Sequence, residues 1–190
     1  LIVRCGVNVQ KGQEVLIYAG LDQPEFVAMV VEEAYKAKAG LVTVNWNYQP
    51  LTKLHARYQT VKSLGTVHEW EKAKLQHYVD SVPCRIHLIS DDPDGLKGVN
   101  TAKMAKARQM SYPIIKPYSE ALDGKQQWCI AAVPGAAWAK KVFPGERTSV
   151  AVEKLWDAIL SASRVTEDPI KAWEAHNANM AKRCEYLNSL

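Results

Sequence analysis

The residues able to do acid–base, nucleophilic or metal chemistry are few and badly spaced for it. The five histidines are His55, His68, His77, His87 and His176, and no two stand three or four positions apart. No single helix turn therefore offers a metal two imidazoles. His68-Glu69 looks like the start of a zinc-protease helix motif, but Lys72 stands where the second histidine is needed. His87 falls within an apolar run and reads as a core or edge histidine, and His176 as a hydrogen-bonding helix residue. Cys5, Cys84, Cys129 and Cys184 form no CxxC or CxxH pair, which argues against a zinc knuckle. No GxSxG elbow is present, and no cysteine has a visible activating base. Asp91, Asp92 and Asp94 crowd one turn and have the look of a hard-cation site. The remaining ligands of a twelve-position calcium loop are missing, so a turn with a helix N-cap is the plainer reading. Neither GxGxxG nor GxxxxGK[ST] occurs, and Gly95-Leu96-Lys97-Gly98 has the wrong spacing to cradle phosphate.

What is left is placement, which depends on the elements. Glu14 to Ala19 (EVLIYA) is a short, continuous apolar run, as expected of a strand covered on both faces. Asp22 with Glu25 predicts a capping-box start, with Pro24 in the first turn, for a helix presenting Phe26, Val27, Val30, Val31, Ala34 and Tyr35 on one face. Gly40 is positioned to close that helix. Leu41 to Trp46 is a second strand, completing a right-handed βαβ unit. Helices are expected over Pro50 to Thr60, with Leu51, Leu54 and Tyr58 on one side, and over Val67 to Val79. Cys84 to Ser90 is a third strand and Val99 to Met110 another helix. Tyr112 to Leu122 stays ambiguous because Pro113 and Pro117 interrupt it. Trp128 to Val133 reads as a fourth, buried strand, broken by Pro134-Gly135 and followed by a short helix that stops at Phe143-Pro144. The remainder is helical. Ser149 caps a helix carrying Val152, Leu155, Trp156, Ile159 and Leu160, and Asp168 caps another with Ile170, Trp173, Met180, Cys184 and Leu187 down one side. The fold class is α/β: a mostly parallel open sheet of at least four strands, helices on both faces, and a helical C-terminal tail, in one domain over residues 1–190.

In such a sheet, ligands collect beyond the carboxyl ends of the strands. Those ends are Gly20 to Asp22, Asn45 to Asn47, Ser90 to Asp92 and Val133 to Gly135. The candidates for a substrate cleft or a domain interface are therefore Trp46, Asn47, Asp91, Pro134 and Trp138. Core packing remains open for the two tryptophans. No catalytic residue and no metal ligand is assigned.

Bulk properties narrow the partners. Hydrophobic residues make up 47%, charged residues 23%, and the net charge is +4. The signs are interleaved, without the one-sided basic face of a nucleic-acid module, so no such partner is expected. No apolar run approaches the ~18 residues of a membrane span. A chain this long buries roughly 70% of its unfolded surface and needs no disulfide framework, so a reducing cytoplasm is the expected location.

One segment carries family information. WCIAAVPGAAWAKKVFP (Trp128 to Pro144), then EKLWDAILSASRV, then DPIKAWEAHN, resemble the N-terminal half of the thermophilic-type metallo-aminopeptidases of peptidase family M29, the group of aminopeptidases T, S and II. GVNVQKGQEVLI and LVTVNWNYQPLTKLHARY agree with the same family in order, so the resemblance spans essentially the whole chain. Gly135 and Gly145 depart from it, standing where Ser or Thr and Asp are frequent, and both departures bear on caps and turns. The resemblance implies a parent enzyme that removes N-terminal residues from peptides with two divalent ions (zinc, cobalt or manganese) held in a C-terminal half. It also implies that this segment binds no metal, that it walls the cleft and serves assembly, and that its partners are that catalytic half, the peptide substrate and a second subunit. The start at Leu1 reads as a cut piece of something longer. The alternative from a different class is a stand-alone α/β domain binding a small ligand at the strand ends.

Overall fold

Four apolar runs lie side by side in the computed structural model, which describes residues 1–190. The strands are β1 (Glu14–Gly20), β2 (Leu41–Asn47), β3 (Cys84–Ile89) and β4 (Trp128–Ala132), all parallel, in the order β2-β1-β3-β4. Parallel neighbours need crossovers. α1 (Pro24–Lys36) joins β1 to β2. The chain then passes through α2 (Gln49–Tyr58), α3 (Val61–Gly65) and α4 (Glu69–Ser81) to β3, and through α5 (Thr101–Leu122) to β4. α6 (Ala136–Val142), α7 (Thr148–Ala162) and α8 (Pro169–Asn188) follow. Strand order reverses between β1 and β3, which places the topological switch point at their carboxyl ends.

The pleat sorts the side chains. Val15, Ile17 and Ala19 of β1 and Cys84, Ile86 and Leu88 of β3 point to one face, where they bury against Val27, Val30 and Ala34 of α1 and against Val3 and Val7. Val3 belongs to a π-helical turn, Ile2–Gly6, that precedes β1. Each fully buried Val, Leu or Ile here contributes about 1.5–3 kcal/mol. On the opposite face Leu16 packs with Tyr78 of α4 and Leu122 of α5. β1 is thus covered on both sides, as its unbroken apolar run predicts. Also on that face, Tyr18 stacks on His87 with ring centroids 4.8 Å apart and planes within 7°.

Several local expectations are corrected. β4 is an edge strand with one open face: Cys129 and Ala131 pack inward, while Trp128 and Ile130 are 62% and 61% exposed. Pro113 and Pro117 do not break α5, a single helix capped by the Asn100 side chain accepting from the Lys103 amide at 2.9 Å. Both prolines face solvent, so the carbonyls they leave unpaired can be hydrated. Leu51, Leu54 and Tyr58 lie exposed, and α2 instead buries Ala56. Tyr35 is exposed as well. α1 closes through Lys38 in the left-handed conformation (φ 68°), with Gly40 already beyond the turn. Arg147, not Ser149, is the residue ahead of α7. Asp168 does cap α8, accepting from the Lys171 amide at 3.1 Å, but no residue of α8 is buried.

Candidate functional site

All four strand ends open into one cleft of about 230 Å³. Gly20 ends β1 and Asp22 follows it, Asn47 ends β2 and Tyr48 through Pro50 follow it, Ser90 through Asp92 follow β3, and Gly135 through Ala137 open α6. Backbone bonds fix these ends to one another. The Leu21 amide donates to the Asn47 carbonyl and the Val133 amide to the Ile89 carbonyl, both at 2.9 Å.

Asp22 holds the centre. It does not cap α1; Gln23 occupies the cap position, and no side chain bonds the helix end. Asp22 Oδ1 instead accepts from the buried Ser90 hydroxyl at 2.7 Å, and Oδ2 accepts from Gln23 Nε2 at 3.1 Å. Gln23 Nε2 also donates to the Pro134 carbonyl at 3.1 Å. This chain of bonds ties β1, β3 and the segment after β4 across the switch point. It needs two residues without side chains. A Cβ on Gly20 would collide with Asp22 Oδ1 and Ser90 Oγ, and one on Gly135 with the Ser90 carbonyl.

Gln49 builds the second wall. Its Oε1 accepts from the Asp92 amide at 3.0 Å and its Nε2 donates to the Asp92 carbonyl at 3.1 Å. The side-chain amide thus ties the segment after β2 to the segment after β3, two strands that flank β1 and do not pair with each other. Asp92 turns the chain through an Oδ1 that accepts from the Asp94 amide at 2.9 Å, the turn expected from the sequence. Asn47 Nδ2 and Asp91 Oδ1 approach to 3.4 Å at the mouth.

Of the residues expected from sequence, Asn47 and Asp91 line the cleft, and Pro134 lends it structure through its carbonyl. Trp46 and Trp138 do not line it. Trp46 is 45% exposed near the end of the outer strand β2, and Trp138 packs half-buried with Ala139, Ala151 and Leu155 between α6 and α7. Asp22, Gln49 and Ser90 were missed as site residues. Their positions at strand ends were visible, but their pairing across the switch point was not.

The cleft presents carboxylates, amides and a hydroxyl, a set suited to holding hydrogen-bond donors. It lacks a proton-transfer pair, because the Ser90 hydroxyl is spent on Asp22 and no imidazole lines the cleft. His87 lies on a strand face, stacked on Tyr18, and burial followed by the Arg85 charge holds its imidazole below the ordinary value. Nor do three His, Cys, Asp or Glu side chains converge anywhere to hold a metal.

The sequence profile of the family described as "Thermophilic metalloprotease (M29)" matches residues 1–190. The chain belongs to this family. It is 34% identical to aminopeptidase AmpS of Bacillus subtilis over 190 residues, which covers 99% of this chain and 46% of that protein. It is 33% identical to aminopeptidase T of Thermus thermophilus over 191 residues, covering 100% of this chain and 47% of that protein. The solved structure of wild-type AmpT from Thermus thermophilus superposes with a TM-score of 0.85 at 31% identity, over 99% of this chain and 46% of that one. The M29 chain described here therefore spans about half the length of the curated relatives it matches. A metalloprotease family raises the question of a metal in this half, and the donor set does not fit one: Asp22 is already paired twice, and no third ligand joins it.

Proposed function

We propose that this chain is the non-catalytic N-terminal domain of a metal-dependent aminopeptidase that removes N-terminal amino acids from peptides. In this reading it supplies one wall of the substrate cleft and an assembly surface. The observation that carries it is the match of the whole chain to slightly under half of proteins named aminopeptidases. The metal chemistry, with two zinc, cobalt or manganese ions polarising water and the scissile carbonyl, would belong to the other half of the parent. Asn47 and Asp91 are the cleft-wall candidates, with Pro134 positioning Gln23 behind them. Trp46 and Trp138 are candidates for the surface that meets the catalytic half. Homodimerisation and a cytoplasmic location belong to the same proposal, the latter supported by four free cysteines.

Two assays test it. The purified chain, supplied with zinc, cobalt or manganese, is expected not to turn over leucine-type aminopeptidase substrates, and chelator-sensitive turnover would overturn the reading. A chimera in which this chain replaces the matching 46% of Bacillus subtilis AmpS should give chelator-sensitive aminopeptidase activity. A chimera that folds, binds metal and stays inactive counts against the role as cleft wall.

A further inference from the structure

On the sheet face carrying the Tyr18–His87 stack, at the amino-terminal end of β3 and β4, a second cleft of about 480 Å³ lies against the end of α5. Arg85 and Trp128 are register partners on β3 and β4, so their side chains rise side by side from one face. Ser119, Glu120, Asp123 and Gln126 complete the lining.

The polar groups here are unmatched. Arg85 enters none of the chain's ion pairs, and its buried Nε has no acceptor. Desolvating part of a guanidinium without a partner is unfavourable. Gln126 shows the opposite polarity. Its amide nitrogen donates to the Pro83 carbonyl, which fixes the orientation, and its buried Oε1 has no donor. Beside them the Trp128 indole lies largely in solvent, a broad apolar surface on an otherwise polar site. Glu120 is engaged by Lys116 at 3.4 Å, and Asp123 stands at the rim with no ion-pair partner.

We propose that this cleft binds a small zwitterion, an α-amino acid with an apolar or aromatic side chain. The carboxylate meets Arg85, in the paired geometry a guanidinium favours. The ammonium pairs with the exposed Asp123 carboxylate, which has no ion-pair partner of its own. The side chain covers the Trp128 indole. A phosphate ligand fits less well, because the lining sets one arginine against two carboxylates, Glu120 and Asp123. A plain amine leaves Arg85 unmatched, and a plain carboxylate leaves Asp123 unmatched. This inference stands independently of the role proposed above, since it uses only residues of this chain.

The test is a titration of the ¹⁵N-labelled 190-residue chain with L-phenylalanine, 3-phenylpropionate and phenethylamine, following the Trp128 indole and Gln126 amide signals. L-phenylalanine should give saturable shifts at both and bind about tenfold or more tighter than either half-ligand. Arg85→Met should remove its advantage over phenethylamine, and Asp123→Asn its advantage over 3-phenylpropionate. Trp128→Ala, at an exposed position, should weaken all three ligands. Thermal melts report whether each variant folds. If Arg85→Met does not, the Asp123 and Trp128 variants decide the matter. No saturable shift at Trp128, equal affinity for the half-ligands, or unchanged binding in the folded variants overturns the proposal.

Discussion

At Gly135 the backbone passes so close to the Ser90 carbonyl that a single added methyl has no room. Its φ of −77° is open to any residue, so space and not conformation excludes a side chain. Gly135→Ala should therefore destabilise the chain by about 1–3 kcal/mol, the usual range for overpacking. The urea midpoint measures it, and a midpoint unchanged from the parent's would show that the loop yields freely. His87 makes a different prediction. Burial, then the charge of Arg85, holds its imidazole below the ordinary value of 6.5. The unfolded chain thus takes up this proton first as pH falls. The contribution to stability is complete above about pH 6.5 and is lost as pH falls from there through the lower folded value. His87→Phe keeps a ring against Tyr18 and removes the titration. Its stability should change less than the parent's between about pH 7 and pH 5. Parallel pH profiles for the two proteins would exclude His87 as the source.

Among the elements, α8 is the least secured. None of its twenty residues is buried. Its start is held by the Trp173 indole donating to the Ser163 carbonyl at 2.8 Å, with His176 edge-on and the Arg164 guanidinium over the ring. Beyond that turn nothing holds it, and an unpacked helix of this length is marginal in water. Hydrogen exchange should find the amides after Met180 exchanging at close to unstructured rates while those of β1 and β3 stay protected. Protection throughout α8 would mean that something covers it. The sequence supplied this helix and its Asp168 cap, because both are local signals, but the apolar side with Met180 and Leu187 looks the same packed or unpacked. β4 presents the same ambiguity. WCIAA is apolar at every position, so nothing in its composition separates a central strand from an edge with one open face. The second half of α5 stayed ambiguous in the sequence for another reason, since a proline inside a helix costs it a bond but an exposed carbonyl can recover that bond from water. The cleft was half legible. Parallel topology places it at the strand ends, and Asn47 and Asp91 follow from that rule alone. The Ser90–Asp22 bond spans 68 positions, and only the strand order brings the two together.

The surface of the whole molecule combines a small net charge with much uncovered apolar area. Trp128 and Ile130 stand on an edge strand, Leu51, Leu54 and Tyr58 along α2, Trp70 on α4, and Tyr186 and Leu187 near the end of α8. Monomers seldom leave contiguous apolar patches beyond a few hundred Å², and a net charge of +4 offers little self-repulsion to keep copies apart. Neither edge strand, β2 nor β4, carries lysine or proline to block another strand, and β4 adds the exposed Trp128 and Ile130 on its open face. The isolated chain should therefore self-associate as concentration rises, and more strongly in high salt, where residual repulsion is screened and apolar burial is unaffected or strengthened by excluded salts such as sulfate. Light scattering across a concentration series measures this directly. Ile130→Lys places a charge on the open face of the edge strand without touching the core, so the melting temperature should hold while association weakens. A clean monomer at high concentration in sulfate would refute the general expectation. Association that persists undiminished in the Ile130→Lys variant would move the contact from β4 to the apolar side chains of α2, α4 or α8.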